Sequence, residues 1–185
     1  MNEAKNVLAI IHELRENALL VDNAELELVE KYIMEADRIF VSGAGRSGFA
    51  ARGFANRLMH LGYTVYFVGE PTTPSIQEND LLIVGSGSGN TASLVSNTKK
   101  AKEQRGKVVA LTMFPENTIG SMADAVIRVP GVTEKVTGKG KKSVQASGSA
   151  FEELCWIIYD AMVMDLMRIT GQSDADLFQR HANME

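Results

Sequence analysis

Cysteine occurs once in the 185 residues, at Cys155. No disulfide can form within the chain, and that usage fits a reducing compartment. Positive charge is not in excess: 19 Lys and Arg stand against 23 Asp and Glu, a net charge of −4. That balance argues against wholesale nucleic-acid binding. No apolar run approaches the ~20 residues needed to span a bilayer. His12 and His60 both read as structural, and neither is taken to mark a metal site. Gly-Lys-[Ser/Thr] is missing from the glycine loops, which excludes a Walker P-loop; Asn90 stands where its lysine would be. No low-complexity segment or domain boundary interrupts the chain. Met1 to Lys5 reads as the opening of an amphipathic helix rather than a signal peptide. The expectation is one cytoplasmic globular domain, and 45% hydrophobic residues are enough to build its core.

What is present centres on residues 81 to 91, Leu-Leu-Ile-Val-Gly-Ser-Gly-Ser-Gly-Asn-Thr. Leu81 to Val84 predict a short buried strand. Gly85, Gly87 and Gly89 allow close approach of a ligand. Ser86, Ser88 and Thr91 supply hydroxyls, and a helix N-terminus follows with free N–H groups and the positive end of its dipole. Strand, small polar loop and helix together predict an anion site, best filled by a phosphate. The alternative is an ordinary tight strand-to-helix turn.

The chain around it alternates. Residues 3 to 20 predict a helix with Val7, Ile11, Leu14 and Ala18 on one face. Asp22 and Glu25 resemble a capping box for a second helix, with Leu26, Val29 and Ile33 inward. Strands follow at 38–41, 64–68, 81–84, 107–112 and 125–129. The intervening helices end at Gly62 and Gly106, and a short one lies near 117–122. Pro71 and Pro74 mark a loop over 69–79. The alternation predicts an α/β fold: a parallel sheet in the flavodoxin-like order 2-1-3-4-5, flanked by helices. Glycine loops after the first and third strands then face each other across the switch-point crevice. Residues 130–146 form a loop carrying Lys135, Lys139, Lys141 and Lys142, read either as a solvated loop or as a lid drawing in anions. The helix over 147–170 is apolar nearly all round, as expected of one wrapped by its own domain and by a second subunit. The chain divides into N-terminal helices (1–36), sheet core (37–130), this long helix and a tail (171–185).

Several residues keep two readings. Gly43-Ala44-Gly45-Arg46-Ser47-Gly48 is a literal G-x-G-x-x-G, and Glu70 sits where a ribose-binding acid would. A dinucleotide site, a phosphosugar site and a merely tight turn all stay open there. Arg46, at the start of its helix, is placed to reach an anion or a sugar hydroxyl. Arg52 and Arg57 read as surface or interface pairs. Glu152 is either the last residue of a capping box begun by Ser149 or a general base aimed into the crevice. A helix N-terminus would favour its ionised form, and burial would act the other way. Glu153 reads as a surface charge. His181 is either an exposed tail residue or one that folds over a neighbouring subunit's crevice.

On Gly43–Gly48, Arg57-Leu58-Met59-His60, Val68-Gly69-Glu70, Gly85–Thr91, Gly148–Glu152 and the ending His181–Glu185, the chain resembles the 6-phospho-3-hexuloisomerase family of the sugar isomerase (SIS) domain superfamily. Many members carry an acidic residue where Asn90 stands. The resemblance implies a three-layer SIS fold and a homotetramer. It implies interconversion of D-arabino-hex-3-ulose 6-phosphate and D-fructose 6-phosphate through a 2,3-enediol, with no metal or organic cofactor. It also implies a functional link to 3-hexulose-6-phosphate synthase in formaldehyde fixation or detoxification. The family pattern puts the phosphate on Ser86, Ser88 and Thr91, helped by the backbone of Gly87 and of Gly89, Asn90 and Thr91. It puts Ser47 on the sugar, Glu152 as proton acceptor, and His181 of a neighbouring subunit beside the reacting oxygens. A non-catalytic sugar-phosphate module, or an isomerase of another sugar phosphate, is the alternative.

Overall fold

The computed structural model describes residues 3–132 and 143–184; Lys135, Lys139, Lys141 and Lys142 lie outside them. The elements run α1 (Lys5–Ala18), α2 (Asn23–Glu35), β1 (Ile39–Gly43), α3 (Gly45–His60), β2 (Val65–Phe67), β3 (Leu81–Gly85), α4 (Ala92–Glu103), β4 (Lys107–Thr112), α5 (Thr118–Met122), β5 (Ala125–Arg128), α6 (Ser149–Thr170) and α7 (Asp174–Phe178). The five strands form one parallel sheet in the order β2-β1-β3-β4-β5. This is the order expected from the alternation, and the expected strand positions hold to within two residues.

Side chains alternate along the strands, so each strand feeds two layers. Ile39, Val41, Leu81, Ile83, Val109, Leu111 and Ile127 face α2, α3 and α6. Phe40, Leu82, Val84, Val108 and Ala110 face α4 and α5 in a smaller cluster. Each fully buried Leu or Ile contributes about 1.5–3 kcal/mol. Helix α6 lies in the larger layer and buries Phe151, Leu154, Ile158, Tyr159, Met162 and Leu166. Cys155 is buried on the same face, where burial pushes its thiol far above the ordinary value. Tyr159 stacks on Phe54 of α3, ring centroids 4.5 Å apart. The opposite side of α6 is also apolar but open: Trp156, Ile157 and Met164 are exposed, as is Phe49 of α3.

Four local expectations change. Asp22 caps α2 by accepting the Ala24 N–H, but Glu25 does not close the box; it accepts the Arg128 N–H and ties α2 to β5. Val7 and Ile11 of α1 are exposed, and only Leu14 of its expected face packs on the core. Helix α4 ends through Arg105, whose φ of 62° makes the left-handed turn that Gly106 was expected to supply. Helix α6 begins one residue earlier than a Ser149 cap requires: Gly148 is the cap residue, and Ser149 lies within the first turn.

Candidate active site

The C-terminal ends of β1 and β3 run into the two glycine loops, and their helices leave on opposite faces of the sheet. Between the loops lies a cleft of about 470 Å³. Ala44 to Ser47 form one wall, Gly85 to Ser88 with Thr91 form the other, and Gly148, Phe151 and Glu152 of the α6 end close it. Most of the predicted residues meet here: Arg46, Ser47, Ser86, Gly87, Ser88, Thr91 and Glu152 all line the cleft.

Two glycines of the first loop, Gly43 and Gly48, are accounted for by packing, and Gly45 by its φ of 58°. A Cβ on Gly48 would stand 2.8 Å from the Gly43 carbonyl oxygen, and one on Gly43 would stand 2.9 Å from the Gly48 Cα. The end of β1 therefore touches the first turn of α3 backbone to backbone. The ribose-binding reading of Glu70 fails on position: it pairs with Arg52, whose guanidinium also lies over the Phe67 ring, and it is absent from the cleft lining.

In the second loop, the Ser86 hydroxyl is buried without a hydrogen-bond partner. The Ser88 hydroxyl accepts the Asn90 N–H at 3.3 Å. The Gly89 N–H donates back to the Ser86 carbonyl at 3.1 Å. Two of the expected anion-binding amides, Gly89 and Asn90, are thus engaged within the loop. Asn90 is also turned away, its side-chain oxygen accepting the Thr118 N–H at 3.2 Å.

Glu152 is four-fifths buried, and Arg46 Nε stands 3.2 Å from its Oε2. Arg46 Nη1 also donates to the Ser149 hydroxyl at 2.8 Å. The expected capping box is absent: Ser149 serves Arg46, and the Glu152 carboxylate faces the cleft instead of the helix end. Burial pushes the Glu152 carboxyl above its ordinary value; Arg46 pulls it down, and the neighbouring Glu153 pushes it up. That is the direction a general base needs to gain strength. Glu153 is not the simple surface charge expected from sequence, since its Oε2 is buried without a hydrogen-bond partner.

His181 does not reach this chain's own cleft. Its ring stacks on that of His60, centroids 5.2 Å apart, at the far end of α3. Arg180 holds the tail there by donating to the His60 and Asp176 carbonyls and to Gln172 Oε1. His60 is buried, and burial lowers its pKa, as do His181 and Arg57. Among the described residues no group of three or more His, Cys, Asp or Glu is arranged to hold a metal ion. No helix among them is long and apolar enough to cross a membrane.

Two apposed loops at the switch point of a 2-1-3-4-5 sheet define a recognisable architecture, and residues 32–155 match the SIS domain model. The chain belongs to the SIS domain family. It is 42% identical to the 3-hexulose-6-phosphate isomerase of Bacillus subtilis over 185 residues, the full length of both. It is 36% identical to the 3-hexulose-6-phosphate isomerase of Mycobacterium gastri, over 97% of this chain and 90% of that one. Among solved SIS-like structures, a Methanococcus jannaschii protein superposes with a TM-score of 0.81 at 31% identity. That match covers 98% of this chain and 99% of the other, for which a molecular function of 3-hexulose-6-phosphate isomerase is inferred.

Sequence reasoning missed the residues that hold the second loop from outside. Asn117 and Thr112 do so, and Asn117 had read only as part of a short helix.

Proposed function

We propose that the chain is a ketose-phosphate isomerase that interconverts D-arabino-hex-3-ulose 6-phosphate and D-fructose 6-phosphate. The substrate comes from its full-length relatives. The observation that carries the chemistry is the cleft itself, which sets a hydroxyl-rich loop opposite one partly buried carboxylate. Ser86, Ser88 and Thr91 grip the phosphate, and its binding energy positions carbons that lie several bonds away. Ser47 and Arg46 meet the sugar.

Glu152 removes the C2 proton, which is acidic because C2 adjoins the C3 ketone. The C2–H electron pair becomes the C2=C3 bond, and O3 gains a proton, giving a 2,3-enediol. The proton on O2 then leaves as C2=O forms, and C3 takes up a proton. One hydrogen has moved from C2 to C3 and one from O2 to O3, so the balance calls for no oxidant or reductant. His181 from a neighbouring copy assists the transfer between oxygens.

The physiological form is a homotetramer in the cytoplasm, coupled to a 3-hexulose-6-phosphate synthase that condenses formaldehyde with ribulose 5-phosphate. Support for assembly is the open apolar face of Phe49, Trp156, Ile157 and Met164, which are 67%, 47%, 48% and 71% exposed in the single chain. The deciding experiment supplies the purified protein with the hexulose phosphate and follows fructose 6-phosphate. Formation of the product at enzymatic rates is expected. Binding of the sugar phosphate with no exchange of the C2 proton in deuterated water would refute the assignment.

A further inference from the structure

The second loop owes its shape to a neighbouring segment of which only Met113 lines the cleft. Its carbonyls are held one after another by residues 112–119. The Gly87 carbonyl accepts the Met113 N–H at 3.2 Å and the Thr112 hydroxyl at 3.3 Å. The Ser88 carbonyl accepts the Asn117 side-chain amide at 2.9 Å. The Gly89 carbonyl accepts the Ile119 N–H at 2.9 Å. Thr112 is fully buried, and its hydroxyl also accepts the Phe114 N–H.

Asn117 is the unusual member. It is the cap residue of α5, the position where an Asn side chain commonly accepts an N–H of its own helix. Here it makes no such bond and reaches across to Ser88 instead. Peptide units are planar, so a carbonyl held on one side turns the next residue's N–H to the opposite side. Holding the Gly87 carbonyl aims the Ser88 N–H; holding the Ser88 and Gly89 carbonyls fixes the turn that carries the chain to Thr91. The N–H groups of Gly87, Ser88 and Thr91 have no acceptor among the described residues. Preorganised donors bind an anion without a reorganisation cost at the moment of binding.

We propose that Asn117 is a positioning residue for phosphate recognition: its bond to the Ser88 carbonyl holds the second loop in its anion-binding shape. This rests on the reading that the loop grips the substrate phosphate. The test uses Asn117→Ser and Asn117→Asp in the full chain. Both residues cap helices well, so α5 keeps its start. Neither can make the donated bond: serine is too short, and an ionised aspartate has no donor. Serine carries no charge, so a loss shared by both variants is not electrostatic repulsion.

Inorganic phosphate is the probe, titrated by calorimetry and as an inhibitor of isomerisation, beside the unliganded melting temperature. Loss of one such bond should weaken phosphate binding and raise KM by about three- to tenfold in both variants, with the unliganded melting temperature nearly unchanged. Wild-type phosphate affinity in either variant would overturn the inference, and so would a fall in melting temperature with affinity intact. If the wild-type protein itself binds neither phosphate nor fructose 6-phosphate, the reading of the loop fails before Asn117 is at issue.

Discussion

Replacing Tyr159 by Phe should make the protein more stable. The Tyr159 ring is fully enclosed and stacked on Phe54 at 4.5 Å with 12° between planes, and phenylalanine keeps that stack. The hydroxyl ends behind the cleft floor, where a Cβ on Gly85 would stand 3.0 Å from it, and it has no hydrogen-bond partner. A buried polar group left unpaired costs about 1–3 kcal/mol. Deleting one oxygen opens little space, so the small cavity term offsets only part of that gain. The net expectation is about 1–2 kcal/mol of added stability, or roughly 2–4 °C in Tm per kcal/mol for a chain of this size. Urea unfolding at fixed protein concentration should show a higher midpoint with an unchanged slope. Turnover should be unaffected, because Tyr159 does not line the cleft. A loss of 1 kcal/mol or more would refute the reasoning, since it would mean that the hydroxyl has a partner.

Other perturbations address the site and its charges. Glu152→Gln should keep the far-ultraviolet dichroism and lower turnover by ~10²–10⁴-fold; near-normal turnover would remove Glu152 from the chemistry. Activity should fall as pH drops through the raised pKa of Glu152, because a protonated base cannot act. Arg46→Ala removes the charge that lowers this pKa, so the acid limb of the pH–rate profile should move to higher pH; an unmoved limb would separate the limb from Glu152. His60 has a lowered pKa in the folded chain, so the unfolded chain binds its proton first. Its contribution to stability is therefore full above about 6.5 and fades as pH falls below that value. Denaturation of His60→Gln from pH 8 to 5 should show a shallower decline than the parent.

The sheet was legible because each strand is a short apolar run bounded by glycine or charge. Its order was expected from the alternation and supported by where the two glycine loops fell. The cleft was legible for a related reason, since loops after the first and third strands meet only if those strands are neighbours. Pairings across the fold were hidden. Glu25 has the spacing of a capping residue, yet a β5 amide 103 residues away takes it. Glu70 lies at the distance from the first loop that a ribose-binding acid would have, but Arg52 claims it. Asn90 sits inside the most telling motif and points out of it, toward Thr118. Linear spacing records which face a residue shares with its neighbours in sequence; it carries no record of a competing partner from another element. Glu152 was the closest contest. Its capping reading fell only when Ser149 was found bonded to Arg46, and its role as base is the proposal made above.

The lone thiol offers a use of its own. Cys155 faces the sheet from the middle of α6, about 1% exposed, with its proton held tightly by its apolar surroundings. An alkylating reagent can find it only after that helix has lifted away. With no second sulfhydryl to compete, the labelling rate is a clock for the opening of the larger layer, readable in unmodified protein and in every variant named above.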